Sequence, residues 1–254
     1  MSRKVCVVTG SSRGAGAATA VRFAQAGYDV VVNCTRDMEG AQATAASCRE
    51  HGATALIVQA NVASDEECRS FAARVEAEFG RADVLVNNAG TTKFANQKNL
   101  DLLDAADFHA IYDVNVVGPY QMTRAFLPLL RANPPGAVVN VSSIASFMGT
   151  GSSLAYMASK GALNALTAGL ARSLGPQVRV NAIAPGFIEG EWLKQGHGEE
   201  RYNALRDAWR SRAALAETIR PEDVAAMAFW LGDGATRTTG EVLVLDGGFR
   251  LGRA

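Results

Sequence analysis

Residues 5–16 read VCVVTGSSRGAG, a short apolar, β-branched run that breaks into a glycine-rich turn. The run at 5–9 has the composition of a buried strand, and the Ala-rich stretch after the turn, 14–27, reads as a helix. Between a strand and a helix, backbone N–H groups gather at the helix start, and the helix dipole favours an anion there. Gly10, Gly14 and Gly16 remove the β-carbons that would bar a phosphate's approach, although the same residues also suit an ordinary tight turn. No GK[ST] follows, so this is not a P-loop, and the spacing G-x3-G-x-G is not GxGxxG.

Outward from that turn, β-branched runs alternate with helical stretches. Strands are expected at 5–9, 29–33, 53–59, 83–87, 137–142, 178–184 and 241–246, and helices at 14–27, 38–51, 64–80, 101–131, 153–175 and 221–232. This alternation predicts an α/β fold: a single doubly wound domain over 1–254, with a seven-stranded parallel sheet covered by helices on both faces. Segment 187–215 fits no strand and forms one long polar insertion. In an open α/β sheet, ligands bind beyond the carboxyl ends of the strands, so the loops that follow strands are where chemistry belongs.

Twenty-five basic and twenty-five acidic residues cancel, so no global field draws the chain onto nucleic acid or an anionic membrane. Cys6, Cys34, Cys48 and Cys68 have neither CxxC spacing nor the density of a disulfide scaffold, which fits a cytoplasmic protein. His51, His109 and His197 are scattered, and no cluster has metal-ligand spacing, so no metal is expected. The apolar run in MSRKVCVVTGSSRG is too short for a signal peptide or a membrane span.

A second stretch, YMASK at 156–160, sets a phenol and an ammonium four positions apart on one helix face. Alone it is equally an amphipathic edge, with Lys160 laying its stem over apolar surface. Other signals stand in order around it. After the fourth strand comes NNAG (Asn87, Asn88, Ala89, Gly90), then Asn115 in DVNVVGP, and Ser143 in NVSS thirteen residues before Tyr156. Pro185 and Gly186 follow the sixth strand, and TGEVLVLDGG occupies 239–248.

Together with TGxxxGxG, these motifs over residues 5–248 resemble the short-chain dehydrogenase/reductase family in its compact single-domain branch, closest to the 3-oxoacyl-carrier-protein reductases. The resemblance implies a Rossmann fold and hydride transfer between a nicotinamide cofactor and a small carbonyl or secondary alcohol substrate. It implies that Tyr156 is the general acid/base, that Ser143 bonds the same substrate oxygen, and that Asn115 holds a water linking Lys160 to solvent. Lys160 would lower the Tyr156 pKa, since a nearby positive charge favours phenolate, and would also bond the nicotinamide ribose. Ser142 misses the family spacing.

For the cofactor, the resemblance assigns Gly10, Ser12, Arg13, Gly14 and Gly16 to the turn, Asn61 and Val62 to the adenine pocket, and Asn88, Ala89 and Gly90 to the adenosine side. Pro185, Gly186 and Ile188 would take the nicotinamide end. Where NAD-using members carry an acid after the second strand, this chain has Cys34, Thr35 and Arg36. Arg36 and Arg13 suit a 2′-phosphate, which favours NADP over NAD. Asp37 is the objection, and it reads as the N-cap of the next helix. Gly190 stands where the family commonly has a Thr that bonds the nicotinamide carboxamide.

The insertion at 187–215 is expected to be the substrate lid, with Trp192, Tyr202 and Trp209 either lining it or anchoring it to the core. The small residues Ala155, Ala158, Gly161, Ala162 and Ala165 permit close helix packing, and the resemblance implies a homotetramer. Two competing readings remain. A catalytically idle dinucleotide-binding redox sensor or regulator would need the glycines but not Ser143, Tyr156 and Lys160. A nucleotide-sugar epimerase shares YxxxK but normally needs a larger C-terminal domain.

Overall fold

Side chains alternate across each strand, so one run of β-branched residues feeds two cores. In the computed structural model, which describes residues 3–253, Cys6, Val8, Val30, Val32, Val84 and Val86 face one layer. Val5, Val7, Val31, Leu85, Val138 and Val180 face the other. Residues 1, 2 and 254 of the expected domain lie outside the described residues.

The strands are β1 (Val5–Val8), β2 (Asp29–Cys34), β3 (Ala55–Gln59), β4 (Val84–Asn87), β5 (Gly136–Val141), β6 (Val178–Pro185) and β7 (Val242–Leu245). They pair in parallel in the order β3-β2-β1-β4-β5-β6-β7, the seven-stranded sheet expected from the sequence. The order reverses between β1 and β4, which opens a crevice at their carboxyl ends. The glycine turn and the NNAG loop both lie there.

The first layer is roofed by α1 (Gly14–Gln25) and α2 (Met38–Glu50), and the second by α3 (Asp65–Phe79). Ser64 caps α3 by accepting from the Glu67 N–H, and Gly80 ends it in the left-handed region at φ 65°. The single helix expected at 101–131 is broken. A capping box between Asp104 and Asp107 starts α4 (Ala105–Tyr112), a π-helical turn spans Asp113–Val117, and α5 (Gly118–Ala132) follows with Pro119 in its first turn. Phe126 of α5 meets Phe71 of α3 edge to face, with ring centroids 5.4 Å apart.

After β5 come the short α6 (Ala145–Met148) and the long α7 (Leu154–Leu174), whose start is capped by Ser153. The polar insertion folds as α8 (Glu191–His197) and α9 (Glu199–Arg212). Finally α10 (Pro221–Phe229) returns to the first layer beside α1 and gives way to a π turn at Trp230–Gly234, where an α-helix was expected to run to 232.

Candidate active site

The glycine turn is held from three sides. Asn33, a polar residue inside the buried β2, accepts from the Gly10 N–H at 3.0 Å and donates to the Val58 and Ala60 carbonyls at 3.1 and 3.0 Å. Asn88 donates from Nδ2 to the Thr9 and Gly10 carbonyls at 3.0 and 2.9 Å. Thr9 Oγ1 accepts from the Asn88 and Ala89 N–H groups, both at 3.0 Å. The turn and the NNAG loop are thus one unit.

Glycine is required in this unit for two separate reasons. Gly10 has φ 59° and Gly14 φ 58°, while a Cβ on Gly16 would lie 2.4 Å from both Asn88 Nδ2 and the Gly10 carbonyl oxygen. Arg13, just before α1, leaves that helix without a side-chain cap. These residues form a cradle that a phosphate fits: β-carbons are missing on the approach, the first helical turn is uncapped, and the cation of Arg13 directly precedes it. Arg13 and Arg36 are both exposed, and the salt bridges of the described residues engage neither of them. Asp37 caps α2, its Oδ1 accepting from the Gly40 N–H at 3.0 Å, as its sequence position suggested.

Other expected contacts fall in several places. Ser12 lends its carbonyl to Thr44 Oγ1 at 3.4 Å. Asn61 Oδ1 accepts from the Ala63 N–H at 3.1 Å, so that amide oxygen is in use. Val62 is buried, packed where a Cβ on Gly118 would lie 2.9 Å from its Cγ2. Pro185 ends β6, and Gly186 lets Trp209 come within 2.4 Å of where a Cβ would stand. Ile188 bridges Ile219 in parallel through its neighbours: the Ile219 N–H donates to Phe187 and the Glu189 N–H to Ile219, which turns Ile188's own N–H and C=O away from the bridge. Gly190 has φ 150°, a backbone that strains a threonine, so the familiar Thr does not fit this turn.

Around YMASK the structure joins four of the predicted residues. The Ser143 hydroxyl stands near enough to the Tyr156 phenol to favour its ionised form, and the Ala145 N–H donates to Ser143 Oγ at 3.1 Å. Ser142 instead donates to Asn164 Oδ1 at 2.6 Å and is committed to packing between β5 and α7. Lys160, only 3% exposed, donates from Nζ to the Val141 carbonyl at 2.8 Å, with Nζ 5.6 Å from the Tyr156 ring centroid. Asn115 is fully buried in the π turn. Its Oδ1 accepts from the Thr91 N–H at 2.8 Å, and its Nδ2 donates to the Thr91 carbonyl at 2.9 Å and Ser159 Oγ at 3.0 Å. Gly90 leaves a gap shared by Asn115 and Lys160: a Cβ there would sit 3.5 Å from Asn115 Oδ1 and 3.6 Å from Lys160 Nζ.

The electrostatics differ from the sequence expectation in one respect. Burial pushes the Tyr156 phenol up to about 12 while the Ser143 hydroxyl pulls it back, and burial lowers the Lys160 ammonium to about 8. In the protein alone, desolvation is the larger cause at Tyr156, and the Lys160 ammonium is turned to the Val141 carbonyl. Sequence reasoning also missed Thr9, Asn33 and Thr91, which hold the site from behind. Asn33 carried a signal, being a lone amide in the apolar run VVVNC.

Residues 10–250 match the family described as enoyl-(acyl carrier protein) reductase. The chain is 41% identical over 247 residues to a Streptomyces violaceoruber protein named as the second ketoacyl reductase of the granaticin polyketide synthase, covering 97% of this chain and 96% of that one. A Burkholderia xenovorans structure assigned to the short-chain dehydrogenases/reductases superposes with a TM-score of 0.92 at 41% identity, covering 99% of this chain and 100% of that one. A gluconate 5-dehydrogenase from Burkholderia cenocepacia, solved with NADP and tartrate, gives a TM-score of 0.88 at 28% identity, covering 99% and 96%. With its parallel sheet, glycine turn and Ser–Tyr–Lys arrangement, the chain belongs to the short-chain dehydrogenase/reductase family of oxidoreductases.

Proposed function

We propose that the protein transfers a hydride between NADP(H) and the carbonyl or secondary alcohol carbon of a small substrate, with Tyr156 as general acid/base. The observation that carries this reading is the Ser143–Tyr156 hydroxyl pair beside a buried Lys160, beyond the carboxyl end of β5. Two hydroxyls converging on one point suit a single oxygen with two lone pairs, which a ketone provides. With its pKa near 12, Tyr156 is protonated at neutral pH and equipped to give a proton in the direction of reduction.

When bound, the reduced nicotinamide supplies the hydride that becomes the new C–H bond. The carbonyl π pair then forms the O–H bond with the proton from Tyr156, while Ser143 holds the oxygen in place. Lys160, with its ammonium near 8, keeps a proton close to the working pH, and its charge favours the phenolate left behind. Asn115 positions the strand-end loop through Thr91 and borders the gap at Gly90 beside Lys160. This buried set favours an enzyme over an idle sensor, which has no use for it.

Gly10, Ser12, Gly14 and Gly16 would take the pyrophosphate, Asn61 and Val62 the adenine side, and Asn88, Ala89 and Gly90 the adjoining ribose. Pro185, Gly186 and Ile188 would meet the nicotinamide. Free Arg13 and Arg36, with Asp37 turned into its cap, support NADP over NAD. The open face of α7 at Gly161 and Gly169, with exposed Phe108, Val117 and Tyr120, supports a homotetramer. Four free, buried cysteines support a cytoplasmic setting.

Fluorescence titration with NADPH and NADH tests the cofactor assignment. NADPH is expected to bind more tightly, and Arg36→Glu to weaken it about 10- to 100-fold, the worth of one charge-assisted contact. A wild-type preference for NADH refutes it.

A further inference from the structure

The three aromatic residues of the insertion do not share one role. Tyr202 is 3% exposed against Phe187, and Trp209 stacks on Phe249 with ring centroids 3.7 Å apart and planes 7° from parallel. Both anchor the segment to the core. Trp192 is 40% exposed, and its ring lies 6.0 Å from that of Tyr156 and 5.7 Å from that of Phe94.

Phe94 is itself wedged against α8. A Cβ on Gly196 would fall 2.1 Å from its ring, and His197 meets it edge to face at 4.7 Å. Gly190 at φ 150° and Gly198 at φ 77° bracket this helix, so Trp192 rides on a short element between two glycine joints. Charge is kept off the wall. Lys93 is paired with Asp107 at 2.6 Å and Lys194 with Glu191 at 3.2 Å, and burial first, then Arg201, lowers the His197 pKa. The hydroxyls of Thr92 and Ser152 are 2.7 Å apart and satisfy each other.

From this we infer that Trp192, backed by Phe94, is the specificity-determining wall of the site, and that the favoured substrate is a ketone carrying a flat aromatic ring beside its carbonyl. The inference rests on the carbonyl chemistry proposed above for Tyr156. A planar ring gains stacking and apolar burial on the indole, whereas a polyhydroxylated chain leaves hydroxyls unpaired against it. With its oxygen at Ser143 and Tyr156, such a ketone places its ring beside the Trp192 indole, whose centroid lies 6.0 Å from that of the Tyr156 phenol.

The test compares 2-acetylnaphthalene with the linear acetoacetyl thioester of N-acetylcysteamine, using NADPH with wild type, Trp192→Ala and Trp192→Phe. Trp192→Ala is expected to lower kcat/KM for the aryl ketone about tenfold, chiefly through KM, with Trp192→Phe recovering most of the loss and the thioester changing less than about threefold. Binding of 2-acetylnaphthalene is also measured in Tyr156→Phe with and without Trp192→Ala, where the same tenfold weakening is expected. Equal losses on both substrates, or affinity indifferent to Trp192, overturn the inference. If wild type reduces neither compound while aryl-ketone binding still depends on Trp192, the carbonyl chemistry fails and the wall stands.

Discussion

Replacing Gly16 by alanine tests whether the turn and the NNAG loop form one unit. The new Cβ would sit 2.4 Å from Asn88 Nδ2, 2.4 Å from the Gly10 carbonyl oxygen and 2.9 Å from Ser11 Cα, contacts that packed atoms do not tolerate. Asn88 must therefore withdraw from the Thr9 and Gly10 carbonyls it now bonds at 3.0 and 2.9 Å. Two net hydrogen bonds are worth about 1–3 kcal/mol and overpacking about 1–3 more, so a loss of about 2–6 kcal/mol is expected. Gly14→Ala is the control. Its φ of 58° imposes left-handed strain, but nothing lies within 4 Å of its Cβ, so its loss should be about 1 kcal/mol. Urea unfolding of both variants gives the energies, and NADPH titration shows whether the cradle survives. Gly16→Ala should be the less stable and the weaker binder. A Gly16→Ala protein no less stable than Gly14→Ala, binding NADPH like wild type, would refute the reasoning.

Two further expectations concern Lys160 and Asn115. The Lys160 ammonium falls from its ordinary 10.5 to about 8, so between these values the unfolded chain binds more protons and stability rises with pH. Relative to Lys160→Met, wild type should gain up to about 3 kcal/mol from pH 8 to 10.5 in denaturation series, and a flat or falling difference contradicts the buried ammonium. Asn115→Ala strips the Thr91 N–H and carbonyl and Ser159 Oγ of their partner and should lower stability by about 2–4 kcal/mol, seen as an earlier urea midpoint; an unchanged midpoint would show the π turn holds without it.

The fold was legible because both of its periods are local. The runs VCVV and DVVVN alternate between two cores, and Gly10 breaks the first run at the point where the chain must turn. What escaped reading depended on partners distant in sequence or on backbone detail. The break at 103–104 comes from Asp104 and Asp107 satisfying each other, a pair that a helical pattern absorbs without trace. The π turn arises where Asn115 reaches Thr91, twenty-four residues away. Tyr156, Ser143 and Lys160 were named by their match to the family's motifs, but a motif does not report desolvation. Only the packed structure shows burial setting the Tyr156 and Lys160 pKa values. Likewise Trp192, Tyr202 and Trp209 are alike in sequence, and only packing separates the one facing Tyr156 from the two that anchor.

The central claim is that the Tyr156 hydroxyl carries the proton that accompanies hydride transfer. The most direct measurement is single-turnover mixing of a ketone with NADPH-loaded Tyr156→Phe, following the reduced-nicotinamide absorbance. The phenyl ring keeps the packing against Trp192, so NADPH affinity should stay within about threefold of wild type while the transfer rate falls by about 100- to 10,000-fold. A Tyr156→Phe protein that oxidises NADPH at close to the wild-type rate would contradict the claim.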